Sequence, residues 1–300
     1  MSSYVMVMIC RPRSCDIDEA AFQVGQIGDP GRWGLPRELA DEEAWEVPLE
    51  APPELAWQFL AGADRLLAEM PVDLCLIPAA SRRKKLLVAD MDSTIIQQEC
   101  IDEMADVLGL KPRIAAITER AMRGELHFED ALRERLSLLA GMSEAQLQQV
   151  YDQRIRLMPG AKTLVATMTA RGATTALVSG GFTFFTSRVA KAVGFGSNHA
   201  NTLEIVDGRL TGRVTGPILG REAKLATLQD YANRLGLAAG ETLAVGDGAN
   251  DLAMIQAAGL GVAYRAKPIV AAEAHAAITY GDLTALLYLQ GYRRQEFVGA

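Results

Sequence analysis

The sequence predicts an α/β protein, a doubly wound parallel sheet with an inserted helical cap behind a small α+β N-terminal domain. Three observations carry this. From Leu86 onward, short apolar strands alternate with amphipathic helices of about ten to fifteen residues, the rhythm of a parallel sheet with crossover helices. Residues 100–155 break that rhythm with four helical stretches and no good strand, as an insertion after the first strand would. The chain has 300 residues, of which 49% are hydrophobic and 22% charged, enough for a large core and a second unit.

In chain order, Tyr4–Ile9 and Ala44–Val47 read as strands, and residues 11–43 between them, rich in Gly, Pro and acids, read as irregular. Pro53–Met70 reads as a helix, with Leu55, Phe59, Leu60, Ala63, Leu66, Leu67 and Met70 forming one buried stripe. Leu74–Ile77 is a further strand. The proline-containing, basic stretch Pro78–Lys85 then marks a boundary, and its tetrad Arg82–Lys85 is read as solvated linker rather than as a nucleic-acid patch. The domains expected are residues 1–80, a core of 84–99 and 158–300, and a cap of 100–157. Core strands are expected at Leu86–Ala89, Thr174–Val178, Thr242–Val245 and Leu260–Val262, and a helix at Arg221–Leu235. Residues 200–215 form two strands about Asp207-Gly208, a strong hairpin signal.

Composition excludes several classes of function. Thirty basic against 37 acidic residues leave a net charge of −7, which argues against a dedicated nucleic-acid binder. Four irregularly spaced cysteines make no disulfide scaffold, and with three histidines they make a zinc site a poor fit, so any metal should be a hard, oxygen-bound cation. The N-terminal stretch lacks a basic leader, and no run approaches the ~20 apolar residues of a membrane span. No membrane partner and a cytoplasmic location are expected.

Chemistry concentrates at strand ends. Leu86–Ala89 runs directly into Asp90-Met91-Asp92-Ser93-Thr94, so both aspartates should reach the ligand crevice at the carboxyl ends of a parallel sheet. Thr174–Val178 runs into Ser179-Gly180-Gly181-Phe182, where two glycines opening a helix would let backbone N–H groups approach an anion. Leu243–Val245 ends in Gly246-Asp247-Gly248-Ala249-Asn250-Asp251. Asp247 and Asp251, four apart, can face one site with Asp90 and Asp92. Carboxylates gathered this closely repel unless a cation compensates them, and oxygen ligands suit Mg²⁺. Lys224, at the start of the Arg221–Leu235 helix, is the one basic residue in this series. On the cap, Phe128, Leu132, Leu136 and Leu139 form a stripe that contains Arg135, whereas Arg133 points away. An arginine there needs an anionic partner, either an ion pair within the protein or a bound ligand.

Taken in this order, the four elements resemble the haloacid dehalogenase-like superfamily of phosphatases over roughly residues 84–290, with a Rossmann-like core. The wording of Asp-Met-Asp-Ser-Thr, Val-Ser-Gly-Gly-Phe and Gly-Asp-Gly-Ala-Asn-Asp narrows the resemblance to the phosphoserine phosphatases. The resemblance implies Asp90 as nucleophile and Asp92 as general acid and base. It implies Mg²⁺ held by Asp90, the Asp92 carbonyl and Asp247, with Asp251 supporting. Ser179, Gly180 and Lys224 would bind the phosphoryl group, and Asn250 would position the substrate. Arg135 would clamp the carboxylate of O-phospho-L-serine and Glu99 would meet its amino group. Met122 and Phe128 would close an apolar lid, or serve as ordinary cap core. Two alternatives stay open: transfer of the phosphoryl group to another alcohol, and a non-catalytic phospho-accepting domain. Asp92 and the cap count against the second. The first 80 residues resemble at most part of an ACT-like domain, from which the long 11–43 segment departs; feedback by serine there, and a homodimer, are left open.

Overall fold

The computed structural model describes residues 2–123 and 125–299. The N-terminal unit is built from β1 (Ser2–Cys10), α1 (Ile17–Val24), β2 (Arg37–Ala40), β3 (Ala44–Ala51), α2 (Pro53–Leu66) and β4 (Val72–Pro78). The sheet order is β2-β3-β1-β4 with every neighbour antiparallel, a split βαβ arrangement. Strand periodicity explains how it is buried. Met6, Met8 and Cys10 of β1 pack with the helices α1 and α2, while Val5, Val7 and Ile9 face the main core.

Two expectations are corrected here. Residues 11–43 are not irregular throughout, since they hold α1 and β2. The signal was Ile17, Ala20, Ala21 and Val24 at helical spacing behind the Asp16 cap, whose carboxylate accepts the Glu19 N–H at 3.0 Å. Its small alanines and short length hid it. The second helix ends at Leu66, four residues before Met70, and Leu66 itself is exposed. The boundary at 79–85 is also not merely solvated. Arg82 is half-buried against Glu46 at 2.6 Å and donates to the Tyr288 and Leu289 carbonyls, and Lys84 is buried.

The main sheet begins with β5 (Leu86–Ala89). Four helices follow before the next strand: α3 (Cys100–Val107), α4 (Lys111–Met122), α5 (Phe128–Leu138) and α6 (Glu144–Arg154). The chain continues as α7 (Ala161–Ala170), β6 (Thr174–Phe182), α8 (Thr183–Val193), β7 (Ser197–Val206), β8 (Arg209–Thr215) and α9 (Arg221–Leu235). It closes with β9 (Thr242–Gly246), α10 (Leu252–Ala257), β10 (Leu260–Tyr264), α11 (Pro268–Glu273), β11 (Ala276–Ile278) and α12 (Ala285–Leu289). The sheet order is β11-β10-β9-β5-β6-β7-β8, parallel except for the β7–β8 hairpin. Asp207 and Gly208 both hold positive φ at its turn, as a type I′ hairpin needs.

Strand order reverses at β5, which has β6 on one side and β9 on the other, so a crevice opens at its carboxyl end. One further correction concerns β6. It continues through Ser179-Gly180-Gly181 to Phe182, past a register shift against β7, and the helix opens only at Thr183. The two glycines therefore sit in a strand irregularity rather than in a helix N-terminus. The N-terminal sheet is anchored to the main one through Asp73, whose carboxylate accepts from the Thr279, Tyr280 and Gly281 N–H groups at 2.7, 3.1 and 2.8 Å.

Candidate active site

Asp90 leaves β5 with its N–H donated to the Val245 carbonyl of β9 at 3.0 Å, which ties the two strand ends together. Its carboxylate is buried, and Oδ1 lies 2.7 Å from Lys224 Nζ. Lys224 is 2% exposed and bridges to Asp251 Oδ1 at 2.6 Å. Burial opposes the lysine's charge, but Asp90 and then Asp251 outweigh it and hold the ammonium protonated. Asp90 is pushed well above the usual carboxylate range, by burial first and by the Asp251 charge second. Asp247 is pushed up to about 6 by the same two causes in the same order.

Oxygens of Asp90, Asp247 and Asp251 lie within 4.8 Å of one another. This all-oxygen, anionic set, three carboxylates facing one lysine, fits a hard divalent cation. The Asp92 carboxylate is turned away from the trio. Its Oδ1 accepts the Cys100 N–H at 2.8 Å and its Oδ2 accepts the Ser179 hydroxyl at 3.0 Å. Ser179 Oγ in turn accepts the Gly181 N–H at 2.8 Å. Sterics dictate glycine at position 246, where a Cβ would come within 2.3 Å of Asp251 Cγ.

Asp90, Asp92, Glu99, Phe128, Arg135, Ser179, Gly180, Lys224, Asp247 and Asn250 line one cavity of about 160 Å³ between the strand ends and the helices α3 and α5. Asp251 stands directly behind Lys224. Met122 ends α4, but its side chain lies outside the described residues. Phe128, although 41% exposed, lies over the strand-end backbone, and a Cβ at Gly180 would come within 3.2 Å of its ring. Arg135 is half-buried and, among the described residues, donates only to the Ala131 carbonyl at 3.2 Å and the Thr118 hydroxyl at 3.4 Å, with Asp102 and then Glu99 as favourable charges nearby. Arg133 is turned outward, paired with Glu129 and Asp130. Glu99 accepts from the Ser93 hydroxyl at 2.7 Å at the solvent-reachable rim. It is pushed up to about 7, by loss of hydration within the cavity and then by Asp92.

Two residues here escaped the sequence reading. Thr94 donates to Asp247 Oδ1 at 3.2 Å, and it was visible in the strand-end motif without a role attached. Asn201, 2% exposed, donates to the Gly180 carbonyl at 2.8 Å and accepts the Leu219 N–H at 2.7 Å, bracing two loops of the site. The only hint was a polar residue at a buried strand position.

Residues 87–256 match the family model of the haloacid dehalogenase-like hydrolases. The chain belongs to that family. It is 48% identical over 210 residues to a phosphoserine phosphatase of a Polaromonas species, a match covering 68% of this chain and 89% of that protein. It is 45% identical over 235 residues to a phosphoserine phosphatase of Streptomyces coelicolor, covering 78% of this chain but only 57% of that relative. A solved HAD family hydrolase of Salmonella enterica serovar Typhi is similar over 96% of this chain and 98% of its own, with TM-score 0.85 and 34% identity. That likeness extends over the N-terminal unit as well. Among the described residues no helix is long and apolar enough to cross a membrane.

Proposed function

We propose that this hydrolase is a Mg²⁺-dependent phosphoserine phosphatase that releases L-serine and phosphate. The observation that carries the reading is one small cavity with a carboxylate–lysine centre on its floor and, on its walls, the acid Glu99 at the entrance to the cap and the cap's Arg135, which forms no salt bridge among the described residues. Those two wall charges are complementary to the ammonium and carboxylate of an amino acid. The residues 100–157 act as the cap, 84–99 and 158–300 as the core, and 1–80 as a separate domain; the enzyme works in the cytoplasm on a small-molecule substrate.

The phosphoryl group sits against Lys224, the Ser179 hydroxyl and the Gly180 N–H, which neutralise its equatorial oxygens as charge spreads. Arg135 holds the substrate carboxylate, Glu99 its ammonium, and Asn250 and Phe128 fix the remainder. Asp90 attacks phosphorus, and the bond to the seryl oxygen breaks as that oxygen takes a proton from Asp92. Asp92, now a carboxylate, removes a proton from water, which attacks the aspartyl-phosphate and frees Asp90 and phosphate. The bond from the Cys100 N–H orients it for both steps, while the Ser179 hydroxyl, which donates to it in the free protein, turns to the phosphoryl group. Asp90, Asp247 and the Asp92 carbonyl would hold the Mg²⁺, with Asp251 behind, and the ion would supply charge neutralisation at the transferring phosphoryl group.

The test is phosphate release from a panel of phosphorylated metabolites with and without Mg²⁺. O-phospho-L-serine should be the preferred substrate. Preference for a phosphosugar or a nucleotide would refute the assignment.

A further inference from the structure

We infer that the cleft between the N-terminal unit and the amino ends of β9 and β10 is a second binding site, for a small monocarboxylate with an apolar body. The cleft holds about 460 Å³, within the range of small-molecule sites. Its walls are Tyr4, Trp57 and Leu76 from the N-terminal unit and Leu260 from the main sheet, with Lys84 and His275 as its basic groups. It lies at the end of the sheet opposite Asp90, so it is no part of the phosphate site.

Lys84 is the reason to expect an anion. It is 7% exposed, and two of its three donors are spent on the Ser81 and Gly240 carbonyls, both at 2.7 Å. No carboxylate pairs with it among the described residues. Glu241, the nearby acid, is bound instead to Lys85 at 2.7 Å and to the Ala238 N–H at 3.0 Å. Arg82 adds positive charge nearby, since the Glu46 that pairs with it at 2.6 Å is shared with Arg37. A buried ammonium without an ionic partner is costly unless something anionic reaches it. His275 supplies a second donor. Its Nδ1 accepts the Gly261 N–H at 2.9 Å, which places the proton of the neutral ring on Nε2. One ammonium donor and one imidazole donor match the two oxygens of a carboxylate, whereas a phosphate dianion would stay undercompensated. Trp57 leaves 55% of its surface exposed at the rim, an apolar face that the body of such a ligand would cover.

The test uses the full chain and 3-phenylpropionate as probe, with 3-phenylpropan-1-ol as its neutral counterpart, read by ligand-observed NMR and calorimetry. The carboxylate should bind saturably and on the order of tenfold more tightly than the alcohol, the worth of one charged hydrogen bond. Trp57→Ala, at an exposed position, should weaken the binding of both. Lys84→Met should abolish the preference for the carboxylate, and Lys84→Arg should retain part of it. Excess inorganic phosphate should leave the probe bound. Absence of saturable binding up to about 10 mM, equal affinity for acid and alcohol, or displacement by phosphate would each overturn the inference. Unchanged affinity in Trp57→Ala would overturn it as well, and that variant does not depend on the buried lysine's contribution to folding.

Discussion

Removing the guanidinium of Arg135 tests the proposed specificity most directly. In the free protein this side chain gives one bond of 3.2 Å to a backbone carbonyl and one of 3.4 Å to a hydroxyl, and among the described residues no carboxylate forms a salt bridge with it, although Asp102 and then Glu99 favour its charge from nearby. Its loss in Arg135→Ala therefore leaves little unsatisfied in the unliganded fold, and the melting temperature should change little. A substrate carboxylate in the cavity would gain a charged hydrogen bond worth roughly 1.5–3 kcal/mol, and at 1.4 kcal/mol per decade its loss is about tenfold to a hundredfold in kcat/KM. The assay compares O-phospho-L-serine with an aryl phosphate that has no carboxylate, under the same Mg²⁺ concentration. The first should fall by that factor and the second should change by less than about threefold. Equal losses on both substrates would mean that Arg135 supports the cap structurally, and the carboxylate clamp would have to be abandoned.

Asp90→Asn should form no phosphoenzyme, whereas Asp92→Asn should lose about 10²–10⁴-fold in turnover and, given an aryl phosphate, accumulate acid-stable, hydroxylamine-sensitive label; equal labelling of both proteins would show that the nucleophile is misassigned. Exhaustive chelation should abolish turnover and Mg²⁺ should restore it, while Ca²⁺, with its looser coordination, should support little; full activity in the chelated protein would refute the metal reading. Because Glu99 is raised to about 7 in the free protein, it is protonated below that pH, so KM for phosphoserine should rise as pH falls through 7 and Glu99→Gln should flatten that limb. The same raised value means the folded state binds the extra proton, so this group's contribution to stability declines as pH rises through the window from its ordinary 4.5 to about 7. Asp73→Ala should destabilise the chain by roughly 2–4 kcal/mol in urea titrations, since the N–H groups of Thr279, Tyr280 and Gly281 lose their acceptor.

What could be read from the chain in advance was what is local. An apolar strand that ends in acids announces itself within ten residues, which is why Asp90, Asp92, Asp247 and Asp251 and the cap's four helices were legible. Arg135 was legible because it interrupts a helical stripe. The features that were not legible depend on partners far along the chain. Lys84 is bonded to a carbonyl 156 residues away and Arg82 to one 206 residues away, so a basic run read alone looks like a solvated linker. Asn201 has no local pattern at all, since its meaning lies in bracing Gly180 against Leu219. The first helix was missed for a different reason, because alanines supply half of its buried face and carry little hydrophobic signal.

The charges at the strand ends explain why the site calls for both a lysine and a cation. Three carboxylates with oxygens within 4.8 Å face a single ammonium, so the ionised cluster carries two net negative charges. A phosphate monoester brings up to two more. At an effective dielectric of about 20, each unit-charge repulsion at 4 Å is worth roughly 4 kcal/mol, enough to exclude the substrate. Lys224 cannot relieve this alone, because it is already shared between Asp90 at 2.7 Å and Asp251 at 2.6 Å. Burial first and the Asp251 charge second already push Asp90 and Asp247 toward their protonated forms. A proton on Asp90 would tie up the carboxylate that the proposed mechanism uses as its nucleophile. One divalent cation neutralises the cluster while leaving Asp90 ionised, and Asp251 keeps Lys224 charged and in place beside it. On the proposed mechanism the lysine would meet the phosphoryl oxygens from a position that Asp90 and Asp251 set before substrate arrives, so little reorganisation would remain for the reaction to supply.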